Sequence, residues 1–228
     1  MEDIIIKSML PKHDLTTPRY MKPKDIEWWR KLSPNETNMR GCPGFIDLYK
    51  RAIALPMPYD ITLEYSAKRD SLRYIIPNEI KDAIKGLVAL IAKHTPEQYN
   101  KAFPEFENLK IVIPWFAFGP EDHSFLMTNN FFQTKKDIHI LNGVLEFHFQ
   151  HSINIQSFFK KEDFRIDIKK GEPLGLLIPL KDNVKYNIHY EQVPREEILK
   201  LITEGTPQTP GQNRWYYNRQ KHEKRIDS

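Results

Sequence analysis

The segment IHILNGVLEFHFQHSINIQSFFKKEDFRIDIKKGEPLGLLIPL, from Ile138 to Leu180, constrains the fold more than any other part of the chain. Short runs rich in β-branched and aromatic residues lie on either side of a Gly171-Glu172-Pro173 turn, and the last run reaches Pro179. Spacing of this kind specifies several short strands, not a βαβ unit. Composition agrees, because 40% apolar and 12% aromatic residues in a chain of 228 suffice for a packed core. Seventeen prolines against nine glycines favour stiff, extended connections.

The remaining segments extend the pattern. Tyr59 to Tyr65 alternates apolar and polar residues, which predicts a strand with one buried face, and Ser71 to Ile76 is its expected hairpin partner. Leu109 to Phe118 is β-favouring around Pro114, so it is expected at a sheet edge or with a bulge. Glu79 to His94 carries an apolar stripe of Ile80, Ile84, Leu87, Val88 and Ile91 between two prolines, which predicts a helix. A short helix is expected in the tryptophan-bearing segment after Pro23, and another from Pro194 to about Thr203.

Three regions follow: an irregular lead-in over 1–40, a single β-rich core over 41–203 with the inserted helix near 79–94, and a C-terminal tail over 204–228. The expected fold is mainly β, a β-clip-like or jelly-roll-like barrel with two or three peripheral helices. No apolar run approaches the roughly 20 residues of a membrane span, and the acidic start MEDIII lacks a basic signal n-region. A soluble, cytoplasmic protein without membrane contact is expected. Its formal charge of +4 is too mild to demand nucleic acid.

Signatures of chemistry are sparse. The chain has no GxxxxGK[ST] loop, GxGxxG turn, GxSxG elbow or HExxH helix. The lone Cys42 excludes an internal disulfide, and with no histidine beside it a buried, inert thiol is expected. Glu146, His148 and His151 offer the two-histidine, one-carboxylate set of a non-haem iron site. On one strand, however, Glu146 and His148 share a face and His151 takes the other unless a turn intervenes. Binding falls more naturally to aromatic residues. Trp28 and Trp29 cannot share one helical face, so one should cover the core and the other stay half exposed. Trp215, Tyr216 and Tyr217 stand among basic residues in the tail, a composition suited to a protein partner or to nucleic acid.

Two resemblances follow from these motifs. The succession MRGCPGFIDLYKRAIALPMPYDITLEY, IVIPWFAFGPEDHSFLMTNNFF, LNGVLEF and IDIKKGEPLGLLIPL, covering about Lys22 to Tyr190, resembles an uncharacterised family of tailed phages and bacteria. That family has no established activity, so the resemblance transfers no catalytic residues. The missing catalytic signatures, the paired tryptophans and the aromatic, basic tail lead instead to an expected accessory or structural binding protein without catalytic activity, in the host cytoplasm or the virion, with a protein partner or self-assembly. More distantly, Gly143–Glu146, Ile168–Ile178 and Gly44–Tyr49 are similar to segments of dUTPase-like β-clip proteins. This second resemblance implies a nucleotide site with Mg²⁺ in which Asp47 and Glu146 face the ligand. Glu146 stands where that family has a water-activating aspartate, and its extra methylene moves the carboxylate by about 1 Å, a misplacement of the size that costs about 100-fold.

Overall fold

A computed structural model describes residues 1–12, 16–26, 28–33, 38–83, 85, 91–93, 104–130, 138–148 and 151–205. The fold is mainly β with helices at its periphery. In the first sheet, β14 (Tyr186–Gln192), β1 (Glu2–Ser8), β7 (Phe106–Phe118), β11 (Ser152–Lys160) and β9 (Ile138–Ile140) lie side by side in that order, and β6 (Ile91–Lys93) also pairs with β7. The second sheet runs β10 (Gly143–Leu145), β8 (Phe125–Asn129), β13 (Pro173–Pro179), β3 (Ile53–Pro56), β2 (Arg19–Tyr20). The third has β4 (Ile61–Ser66) between β12 (Phe164–Ile168) and β5 (Ser71–Ile75). No sheet closes on itself among the described residues, so three open sheets stand where a barrel was expected.

All three sheets contribute to one core. Ile4 and Ile6 of β1, Ile153, Ile155 and Phe159 of β11, and Ile61, Leu63 and Tyr65 of β4 are buried at every second position. The period of two turns one face inward and leaves the other to polar residues. Strands β3 and β13 are buried along nearly their whole length because the second sheet is covered on both faces. Ile53, Leu55 and Leu177 meet the main core, while Ala54 and Leu176 meet a smaller cluster on the far side. A bulge lets two residues of β13, Leu174 and Gly175, stand against Leu55, since Pro173 pairs with Pro56 and Gly175 with Leu55.

Pro114 behaves as one of the two expectations required. Strand β7 is central, flanked by β1, β6 and β11, and its register against β11 shifts between Phe116 and Val112, around the proline. The buried Ser8 hydroxyl donates to the Pro114 carbonyl at 2.8 Å, which satisfies an acceptor in the irregular stretch.

Residues 43–51, which include the segment compared above with β-clip proteins, form helix α1 (Pro43–Arg51). Pro43 at the first helical position, Phe45 and Tyr49 four residues apart, and Lys50 and Arg51 in the last turn all favour a helix. Of the helix expected over 79–94, helix α2 (Asn78–Ala83) is described, and Ile84, Leu87 and Val88 lie outside the described residues. Ile91 is not helical: it sits in β6 opposite Ile111, where the edge of β7 offers backbone partners that outweigh propensity. Helix α3 (Arg195–Gly205) follows Pro194 as expected. Among the described residues, the tryptophan-bearing segment after Pro23 holds two 3₁₀ turns, Pro23–Asp25 and Trp29–Lys31, where a short helix was expected. Arg19 clamps the first through a two-pronged contact with Asp25 at 2.6 and 2.8 Å.

Candidate functional site

Two constellations collect side chains capable of recognition or proton chemistry. The first covers the outer face of the second sheet. Trp28, Trp29, Phe45 and Tyr49 pack over Met21, Ile26, Ala52, Ala54 and Leu176. Ring centroids lie 5.0 Å apart for Trp28 and Phe45, 5.8 Å for Trp29 and Tyr49, and 6.3 Å for the two tryptophans. The Arg40 guanidinium lies 4.9 Å from the Trp29 ring centre and donates a hydrogen bond to the Leu32 carbonyl. Both tryptophans are half-buried, so neither is a complete lid and neither is fully presented to solvent. Trp28 precedes the 3₁₀ turn and Trp29 opens it, and both rings pack on the same cluster.

The second constellation was not anticipated from the sequence. His123, only 6% exposed, sits in the turn before β8. Its Nδ1 lies 2.9 Å from the Tyr186 hydroxyl and its Nε2 lies 2.9 Å from Lys181 Nζ. A lysine ammonium has no acceptor, so Nε2 must accept and the imidazole proton rests on Nδ1, which donates to Tyr186. Burial, reinforced by the Lys181 charge, holds the His123 pKa below its ordinary value. Tyr186 is buried at 3%, and burial, with smaller contributions from Tyr20 and Glu2, pushes its pKa up to about 12. The Tyr20 hydroxyl accepts from the Tyr186 backbone N–H at 2.8 Å. One signal in the sequence does point here: His123 is in phase with the inward-facing Phe125 and Met127 at a spacing of two.

The residues proposed from the sequence for iron are not gathered at one centre. Past the end of β10, Glu146 accepts from the Ser124 hydroxyl at 3.4 Å. His148 Nε2 lies 3.4 Å from Glu121, and His151 Nδ1 faces the Phe147 carbonyl at 2.9 Å while its ring stacks on Phe118. Among the described residues no three His, Cys, Asp or Glu side chains are placed to share a cation. Asp47 is exposed on α1.

Cys42 corrects an expectation outright. It is exposed, and it caps the start of α1 with extended backbone instead of lying in the core. Trp215, Tyr216 and Tyr217 lie outside the described residues. A cleft of about 270 Å³ beside β4 and β5 has Asp60 and Lys169 4.0 Å apart at its wall. Its volume is below the roughly 300–1,000 Å³ of small-molecule sites.

No protein-family model, curated protein or solved structure matches the chain. No helix among the described residues is long and apolar enough to cross a membrane.

Proposed function

We propose that the protein is a non-enzymatic accessory or structural binding protein, and that it takes a protein partner on the face built by Trp28, Trp29 and Arg40. One observation carries this proposal: two half-exposed tryptophans and a stacked arginine are concentrated on one patch. Tryptophan and arginine are the residues most enriched among those that dominate interface energetics. The patch is also braced from behind by α1 and the second sheet, so little side-chain freedom remains to be lost on docking. Glu146 and His148 take part in contacts between strands and turns, Glu146 with Ser124 and His148 with Glu121.

A photo-crosslinking residue at Lys31, beside the patch, and another at Arg73, on the third sheet, test the proposal in a lysate of cells that express the full chain. The expected result is one recurrent crosslinked protein from position 31 that is absent from position 73. Arg40→Ala should weaken that crosslink, and Trp29→Ala should weaken it further, with folded far-ultraviolet spectra retained. Equal trapping at both positions, or trapping indifferent to both substitutions, would remove the patch as the binding face.

A further inference from the structure

The turn that leads into β8 and the turn that leads into β14 are joined by backbone as well as by side chains. Leu180 N–H donates to the Ser124 carbonyl at 3.0 Å, and Glu2 N–H donates to the Lys185 carbonyl at 2.9 Å. Within this frame the imidazole of His123 spans from the exposed Lys181 to the buried Tyr186. Tyr186 also packs edge-on to His123 and against Phe125, so the same residue belongs to the latch and to the main core.

We propose that His123, Lys181 and Tyr186 form an acid-sensitive latch, which fastens the turn before β14 to the turn before β8 and opens on its Lys181 side when the imidazole takes up a proton. The chemistry follows from the donor inventory. A neutral imidazole has one acceptor, and Lys181 uses it. Protonation converts that acceptor into a second donor and sets two cations 2.9 Å apart, one of them on a buried ring. The Tyr186 contact survives, because Nδ1 donates to it in both states. The Lys181 contact does not.

The groups facing His123 come from four elements. Lys181, on the β13–β14 turn, opposes the imidazolium, as does burial. Asp122, in the same turn as His123, and Glu2, at the start of β1, favour it. Tyr186 of β14 is neutral throughout the relevant range and acts as a hydrogen-bond partner only. Burial is the largest of these influences and Lys181 the next, so the balance favours the neutral ring. Once Lys181 has left, Asp122 and Glu2 are the carboxylates whose charge holds the imidazolium.

The sign of the pH dependence is fixed by this balance. An unfolded histidine titrates near about 6.5, and the folded one titrates lower. Between those two values the unfolded chain binds more protons, so stability rises with pH there. The contribution is fully present above about pH 6.5 and is lost as pH falls through the folded pKa.

Proton NMR titration of the full chain, with His123 assigned through the backbone, tests the latch. His123 should inflect below ordinary histidine values, and Lys181→Met should move that inflection upward. His123→Gln should flatten the dependence of Tm on pH between 5 and 7.5. An inflection of His123 at the ordinary value in the wild type would overturn the latch. So would a Lys181→Met protein whose His123 inflects where the wild type does. Lys181 is exposed, so that variant remains informative if His123→Gln does not fold.

Discussion

The side-chain amide of Asn129 takes the place of a neighbouring strand for Ile140. Asn129 Nδ2 donates to the Ile140 carbonyl at 2.9 Å, and Asn129 Oδ1 accepts from the Ile140 N–H at 2.6 Å. Ile140 faces Ser157 across the β9–β11 ladder, and the ladder bond beside it runs from Leu141 N–H to the Gln156 carbonyl. The peptide groups of Ile140 therefore point away from β11, and Asn129 is what satisfies them. Because Asn129 lies at the end of β8 and Ile140 at the end of β9, one amide joins the second sheet to the first.

Asn129→Ala should expose this dependence directly. Ile140 is 6% exposed, so both of its backbone groups lose their partner where water has little access. At about 1–3 kcal/mol for each stranded group, a loss of about 2–6 kcal/mol is expected. Asn129→Asp should be nearly as costly, since a carboxylate can accept from the N–H but presents only oxygen to the carbonyl. Urea unfolding reads the difference as a lowered midpoint at constant slope. A midpoint unchanged in Asn129→Ala would mean that the two sheets are not tied here.

The same substitution at two glycines should act with opposite signs. A Cβ at Gly175 would lie 3.0 Å from both Ile140 Cδ1 and the Thr128 carbonyl oxygen. The backbone oxygen cannot step aside, so Gly175→Ala should cost about 1–3 kcal/mol. At Gly44, inside α1, an added Cβ meets nothing within 4 Å. Gly44→Ala should stabilise by about 0.4–1 kcal/mol, through the reduced freedom of the unfolded chain. Thermal unfolding of the pair against wild type distinguishes the two effects, and a shared sign would contradict the placement of one glycine.

Much of the β architecture was legible because strand patterns report which face is buried. The alternation in β4 and β11, the hairpin of β4 and β5, and the disturbance around Pro114 all follow from the residues themselves. Pairing was not legible in the same way. The parallel match of β1 with β14 joins Glu2 to Tyr186 across most of the chain, and alternation says nothing about which neighbour a strand takes. The His123 latch was missed for a related reason. Its three members come from separate segments, and only the spacing of His123 from Phe125 hinted at burial.

Cys42 provides a simple check on the start of α1. It is the only cysteine, and it is exposed. A thiol-reactive maleimide should therefore label the native chain with one equivalent, without denaturant. Labelling that requires urea would restore the buried cysteine expected from sequence and would place α1 differently on the second sheet.

Glu107 carries the most demanding electrostatic arrangement. Its side chain is 5% exposed, with Lys93 Nζ at 3.0 Å and Lys161 Nζ at 4.0 Å. Removing one partner of a buried pair costs about 3–5 kcal/mol, because the remaining charge stays in the interior. Lys161 keeps part of the compensation, so Lys93→Met should fall near about 3 kcal/mol. Glu107→Leu alone should also destabilise, since Lys93 would then lean on the exposed Asp70 at 3.2 Å. The double variant removes the buried charge and its closest partner together. A double-mutant cycle by chemical unfolding should therefore show a loss well short of the sum of the singles, with a coupling of about 0.5–3 kcal/mol. Strict additivity would show that the contact between Lys93 and Glu107 contributes nothing to the fold.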